Sequence, residues 1–443
     1  MMKKQRPQLP APKKKLPKDA ARAVKRTDSL NLQEVTAETL SDLLDLPDMR
    51  VIRYAIEEEN QERFLHVFCE HAQDVALCPR CLTASNDVHD VKERCVRHLD
   101  IWGMKTLVHF PQRRFGCRVC GKPFSEVPAW IDPQRRQTQA FELYIYERVK
   151  GKTPRCQVAR QEGLHEAVVA EIFKRQARRA LRATTRPLVR VLGVDEIALR
   201  KGHKQYALVL SDLERRCVIA VLPDRRKTTF EAWLRRLSPE EQRAIKTVSM
   251  DMWEAYRQAV QHCLPHAEIV ADRFHVMKQL NHKLDLLRRS LQRKAKQNGD
   301  ELLYQALKGN RWVLLKNRRE LDAEQEAQLT VILAASDELR TIYLLREEFR
   351  TICDKIHERA RAVRFLDAWA WKAVATGSSY LLKFVKTLRN WWQEFLNYFN
   401  NGVTQGFVEG INHAIRDIIR RAFGYRNFGN FRLQVLVECA GGG

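Results

Sequence analysis

The sequence has no apolar run approaching the roughly 18 residues that a bilayer span requires, and no apolar segment follows its basic N-terminus as it would in a secretion signal. These absences remove spanning and exported proteins from consideration and leave the expectation of a soluble, cytoplasmic chain. A disulfide framework is lacking too: eleven Cys is an odd count, four of them fall in two C-x-x-C pairs, and the rest are scattered. Reduced thiols are expected. No repeat of 20–50 residues is visible, so repeat architectures drop out. Acidic charge is scarce relative to basic, with 54 Asp plus Glu against 78 Lys plus Arg, a formal net charge of +24 and a pI near 9.8. Such a balance excludes a polycation as the partner and points to a polyanion. Residues 1–30 hold ten Lys or Arg and two Asp, which is only a third of the excess. The basic charge is therefore spread along the chain.

What is present divides the 443 residues into several units. Residues 1–49 read as a basic, largely disordered arm and linker: Lys, Arg and Pro mix over 1–28 without apolar periodicity. A phosphate-contacting role and a merely solubilising one are both open. Residues 50–130 read as a β-rich module and 131–187 as helical. From 188 to 275 strands alternate with helices, an α/β pattern. Residues 276–400 carry helical periodicity and Trp312, Trp369, Trp371, Trp391 and Trp392, and 401–443 close the chain with one more amphipathic helix and a tail.

Cys78-Pro-Arg-Cys81 and Cys117-Arg-Val-Cys120-Gly121 each offer two thiolates from one tight turn, so the two turns together make a tetrahedral Cys₄ zinc site. Four protein ligands leave no open position, and the zinc is expected to be structural. The alternative is coincidence within a core that also holds Cys69, Cys95, His89 and His98. Further on, residues 153–182 place Gly163 between two apolar-periodic segments, as a helix-turn-helix does. Lys174, Arg175, Arg178, Arg179 and Arg182 line its second helix, a basic face for phosphates or guanine edges in a major groove. An ordinary solvated helical hairpin is the competing reading.

Val191-Leu-Gly-Val-Asp195-Glu196-Ile-Ala-Leu is an apolar strand interrupted by acids, costly in a sheet unless a cation compensates. Two more strands, a helix and the strand Thr247-Val-Ser-Met-Asp251 follow, the ribonuclease-H-like order. The first and fourth strands are neighbours in that order, so Asp195 and Asp251 approach closely enough to share two divalent ions about 4 Å apart. A third acid belongs on a helix crossing the sheet. Residues 409–423 supply one, with Ile411, Ala414, Ile415, Ile418, Ile419 and Ala422 on an apolar stripe and Glu409, His413, Arg416 and Arg420 on another face. By itself Glu409 reads equally as surface charge.

The stretches Gly193-Val-Asp-Glu-Ile-Ala-Leu-Arg-Lys-Gly-His203, Ser249-Met-Asp-Met-Trp-Glu-Ala-Tyr256, Ala271-Asp-Arg-Phe-His-Val276, and Glu409-Gly-Ile-Asn with Ala422-Phe-Gly-Tyr-Arg-Asn-Phe-Gly-Asn-Phe-Arg432 resemble the ISL-three (ISL3) family of bacterial insertion-sequence transposases. The resemblance runs from the Cys pairs to residue 437. It implies a zinc ribbon, a helix-turn-helix and a ribonuclease-H-like core interrupted by an all-helical insertion, with Asp195, Asp251 and Glu409 as the DDE triad. It also implies two magnesium or manganese ions, and DNA cleavage and strand transfer on transposon ends and target by a homodimer or higher oligomer. Thr404-Gln-Gly-Phe-Val-Glu409 departs from the family's usual Thr-Asn-Gly approach to the last acid. A DNA-binding regulator without catalysis and a two-metal nuclease that leaves ends unjoined are the alternatives. Secondary candidates are Asp272 and His275, as ligand-orienting groups or a helix cap; Trp253 and the aromatic run around Arg426, for contact with DNA or for packing; His413; and Lys201 and His203, for phosphate or solvent.

Overall fold

The computed structural model describes residues 36–184, 187–200, 205–401 and 406–440. Residues 1–35 of the expected arm, Lys201 and His203, the Thr404-Gln405 approach and the last three glycines lie outside them. The chain divides into two units, Met1–Tyr144 and Ile145–Gly443. Among the described residues no helix is long and apolar enough to cross a membrane.

In the first unit, helix α1 (Ala37–Leu44) precedes seven strands: β1 (Met49–Glu59), β2 (Glu62–His71), β3 (Ala76–Leu77), β4 (Ala84–Ser85), β5 (Val88–Arg97), β6 (Lys105–Gly116) and β7 (Pro123–Ser125). The main sheet runs β1-β2-β6-β5 with β7 on β6, and β3 pairs with β4 in a small hairpin. Asn60 and Gln61 both take positive φ in the two-residue turn joining β1 to β2, the geometry that matches strand twist. One face is apolar: Leu65 and Val67 of β2 and Val108 and Phe110 of β6 pack with Leu40 and Leu44. The end of the stretch read as arm and linker is thus a helix, because Thr36 caps it and two leucines four apart reach the sheet.

Helix α2 (Gln139–Lys150) crosses the division between the units, and α3 (Arg155–Glu162) and α4 (Glu166–Ala183) follow. Gly163 ends α3 in the left-handed conformation at φ 65°, which permits the sharp turn into α4. The expected helix-turn-helix is present.

The second sheet is β10 (Cys217–Leu222), β9 (Gln205–Asp212), β8 (Val191–Arg200), β11 (Thr247–Met250), β12 (Glu268–Ala271), in that spatial order. β8, β11 and β12 are mutually parallel, and β9 runs antiparallel to its two neighbours, β8 and β10. Helices α5 (Lys227–Arg235), α6 (Pro239–Ala244) and α7 (Glu254–Cys263) connect its strands. On one face Leu192, Val194, Leu208 and Leu210 pack against Phe230 of α5 and Tyr256 and Val260 of α7. The opposite face, with Ile197, Ala207, Val209, Val218 and Val221, is covered by α16 (Gly406–Arg421) and α17 (Phe428–Glu438). Gly193 belongs to β8 because a Cβ there would stand 2.6 Å from Leu213 Cδ2.

Between β12 and α16 the described elements are helices: α8 (Arg273–Asn298), α9 (Glu301–Leu307), α10 (Arg311–Leu315), α11 (Ala323–Ala334), α12 (Asp337–Lys355), α13 (Arg359–Ala375), α14 (Ser379–Asn390), α15 (Trp392–Asn401) and one turn of 3₁₀ helix. Their core gathers Leu280, Leu284, Tyr343, Phe349, Trp369, Phe384 and Phe395. Arg346 is wholly buried among them and donates to the carbonyls of Leu315 and Lys316 and to Asn281 Oδ1. Of the tryptophans concentrated here, Trp369 is core, whereas Trp312 and Trp371 are exposed.

Candidate active site and metal centre

Parallel pairing of β8 with β11 sets Val194 beside Met250, so the next residue on each strand, Asp195 and Asp251, emerge together. Strand alternation sends Asp195 to the face that α16 covers and Glu196 to the other. The two acids that interrupt the strand therefore belong to different environments. Asp195 is 6 % exposed. Its carboxylate accepts from the Glu196 backbone at 2.7 Å and from Asn412 Nδ2 of α16 at 2.5 Å. Burial and the neighbouring Asp251 push its pKa up to about 6, against the lowering effect of those two bonds and of His275.

Asp272 ends β12 and caps α8, accepting from the Phe274 N–H at 3.2 Å. One turn along, His275 Nδ1 lies 2.8 Å from Asp272 Oδ2 and 2.6 Å from Asp251 Oδ1. Burial disfavours the imidazolium, yet the two carboxylates outweigh it and raise His275 to about 10. Asp272 is thus a helix cap, as one of its two readings had it, and also contacts His275. Nδ1 carries one hydrogen, and its hydrogen-bond geometry is to Asp272. Asp251 Oδ1 is buried and without a hydrogen bond, as is Asn412 Oδ1.

Ligand atoms of Asp195, Asp251 and His275 all lie within 4.8 Å of one another. Two carboxylates brought this close, one of them buried and resisting ionisation, are what a hard divalent cation neutralises. The donor set fits a divalent cation. Glu409 is exposed and stands outside this cluster, one helical turn before Asn412. His413, Arg416 and Arg420 are exposed on the same helix, while Ile411, Ile415 and Ile418 are buried under it. Ala422, the last member of the expected stripe, is exposed because the helix ends at Arg421.

Sequence reasoning missed Asn412, Glu196, Tyr256 and Arg225. Tyr256 Oη donates to Glu196 Oε1 at 2.7 Å and Arg225 Nη1 to Oε2 at 3.0 Å. Only Glu196 gave a signal, as a second acid in an apolar strand. Trp253 lies at the start of α7 and is 45 % exposed, so it is not core. In the Tyr425–Phe428 run packing prevails, since Tyr425 and Phe428 both pack on Phe431, but Arg426 is exposed. On α4, Arg178, Arg179 and Arg182 are exposed, and Lys174 and Arg175 are half-buried, Lys174 lying 3.7 Å from Glu171.

In the first unit the ligand atoms of Cys78, Cys81, Cys117 and Cys120 also gather within 4.8 Å. Two sulfur pairs stand 3.7 and 3.4 Å apart, against about 3.8 Å for the edge of a tetrahedron with 2.3 Å zinc–sulfur bonds. Each pair sits on a tight turn closed by a backbone bond, Leu82 N–H to the Cys78 carbonyl and Gly121 N–H to the Cys117 carbonyl. The 35 residues between the pairs hold β4, β5 and the whole of β6, which fold back and close the gap. Bonds from Thr83 lower the Cys81 thiol to about 6, toward the thiolate that zinc requires. Cys69 is instead buried in the main core, and His98 is buried with Nδ1 2.9 Å from Thr138 Oγ1.

Comparison with known proteins adds three family matches. Residues 192–435 match a transposase domain of the ISL3 type, residues 74–120 the zinc finger of the transposases of IS204, IS1001, IS1096 and IS1165, and residues 125–177 the helix-turn-helix domain of transposase family ISL3. The transposase for insertion sequence element IS1001 of Bordetella parapertussis is 32 % identical over 385 residues, covering 86 % of this chain and 93 % of its own. The transposase for insertion sequence element IS1557 of Mycobacterium tuberculosis is 26 % identical over 355 residues, covering 75 % and 78 %.

Proposed function

Because the chain belongs to the ISL3 family of insertion-sequence transposases and carries that family's zinc ribbon and helix-turn-helix DNA-binding domain, we propose that it binds the terminal inverted repeats of its element and catalyses metal-dependent strand cleavage and strand transfer. The observation that carries this reading is the convergence of Asp195 and Asp251, whose ligand atoms lie within 4.8 Å of each other and of His275. The strand order β10-β9-β8-β11-β12 supports a ribonuclease-H-like core over 188–275, completed by 401–443, with 276–400 as a helical insertion.

Asp195, Asp251 and Glu409 would hold two magnesium or manganese ions. Ions bound there supply activation of the attacking water or 3′-OH and stabilisation of the leaving oxygen. The chain's own residues prepare that site. Asn412 fixes the Asp195 carboxylate and ties α16 to β8, which keeps Glu409, three residues earlier on the same helix face, at this edge of the sheet. Asp272 holds His275 against Asp251. Lys174, Arg175, Arg178, Arg179 and Arg182 of α4, with Arg416, Arg420 and Arg426, contact DNA phosphates and base edges, and His413 stands among the latter group. Synapsis of two ends requires a homodimer or larger assembly.

The test is cleavage and joining of DNA carrying the element's ends, with magnesium or manganese. Asp195→Asn, Asp251→Asn and Glu409→Gln are each expected to lower both reactions at least 1000-fold while end binding persists. Full activity in all three variants overturns the reading. Cut but unjoined products would indicate a nuclease, and binding without cutting a regulator.

A further inference from the structure

The cleft beside Asp251 contains a group of residues for which cation binding has no use. Arg225, pinned at 3.0 Å by Glu196, lies over two rings at once, 4.4 Å from the Tyr206 centroid and 5.3 Å from that of Trp253. Burial and the Glu196 bond push the Tyr256 phenol far above its ordinary range, so it remains a proton donor that fixes Glu196 in turn. An ordered chain therefore runs from Tyr256 through Glu196 and Arg225 to Trp253, a residue 45 % exposed. Trp253 opens on a cleft of about 450 Å³ shared with Asp251, His275, Lys278 and Lys283.

An exposed indole is costly, and bracing it in one orientation adds order without burying it. Both make sense if a flat partner completes the stack. The partner must also tolerate cationic neighbours, since Arg225 and two lysines line the same cleft, and must reach a point two residues from Asp251. A nucleobase on an anionic backbone meets all three requirements, and only a base withdrawn from its duplex can lay its face on the ring.

Resting on the transposase reading above, we propose that Trp253, braced by Arg225, Glu196 and Tyr256, is the stacking platform for an unpaired base adjacent to the phosphate that is cut, with Lys278 and Lys283 on neighbouring phosphates. Arg225, Glu196 and Tyr256 are positioning residues, since they act through the indole.

The experiment uses the full chain with its zinc and a duplex spanning one element end and its host flank, with 2-aminopurine placed in turn at each nucleotide around the cut. With calcium in place of magnesium, binding is expected to change fluorescence at least twofold at one position. Trp253→Ala abolishes that change, whereas Trp253→Phe and the exposed control Trp312→Ala keep it. With magnesium, Trp253→Ala slows cleavage about 10- to 100-fold, as loss of one stacked base does, and an abasic site at the responding nucleotide brings the variant to within threefold of the wild type on the same DNA. The inference is overturned if no position responds, if the response survives Trp253→Ala, or if the gap between variant and wild type persists on the abasic DNA. A Trp253-dependent response from a chain that neither cuts nor joins would sink the transposase reading and leave only base stacking on Trp253, without the adjacent cut.

Discussion

Burial beside Asp251 raises Asp195 from 3.8 to about 6. Between those values the folded chain holds a proton that the unfolded chain has released. Stability from this group therefore falls as pH rises through that window, and the cost is present in full above pH 6. Asp195→Asn removes the charge yet retains an oxygen to accept from Asn412. In magnesium-free buffer at pH 7.5 it is expected to raise the melting temperature by a few degrees, on the order of 1–3 kcal/mol, and to flatten the slope between pH 4 and 6. A melting temperature at or below that of the wild type would argue against buried repulsion at this site. The same substitution is proposed to remove activity, in which case function here runs against stability.

At the scale of elements, α16 ends in a strained turn. Phe423 N–H bonds to the Arg420 carbonyl and Gly424 N–H to the Ile419 carbonyl, closing the helix with Phe423 at φ 51°. Glycine suits that position, and a β-carbon there costs about 1 kcal/mol. Phe423 recovers nothing by packing, being 95 % exposed. Phe423→Gly is expected to stabilise the chain by about 0.5–1 kcal/mol in urea unfolding. A loss instead would mean that the ring packs on something in solution. Periodicity made α16 legible from Ile411, Ile415 and Ile418, but it extended the stripe to Ala422, one residue past the end of the helix.

On the scale of the whole molecule, the small cluster of Ala76, Phe115 and Phe124 around Cys78 and Cys117 is too slight to hold β3, β4 and β7 without the metal. Removing zinc with a chelator is expected to leave these strands exchanging amide hydrogens freely, while β8 to β12, carried by their own two-faced core, keep their protection. Exchange rising equally in both units would contradict that independence. End binding is expected to fall with the zinc ribbon, because that module and the helix-turn-helix are proposed to engage the ends together.

The sequence by itself determined the local chemistry: two Cys turns, a glycine between two helices, acids within apolar strands, and an amphipathic stripe opposite a polar face. Each is a pattern of a few neighbouring residues, which period and spacing reveal. Only the tertiary structure decided which distant groups meet. Asn412 reaches Asp195 across 217 positions, and Arg225 reaches Glu196 across 29 and then Trp253. Sequence separation carries no trace of such contacts, since they follow from strand pairing and from which face of β8 each side chain leaves. The same alternation gave the adjacent acids Asp195 and Glu196 different surroundings, one beside Asp251 and Asn412, the other bracing an exposed indole.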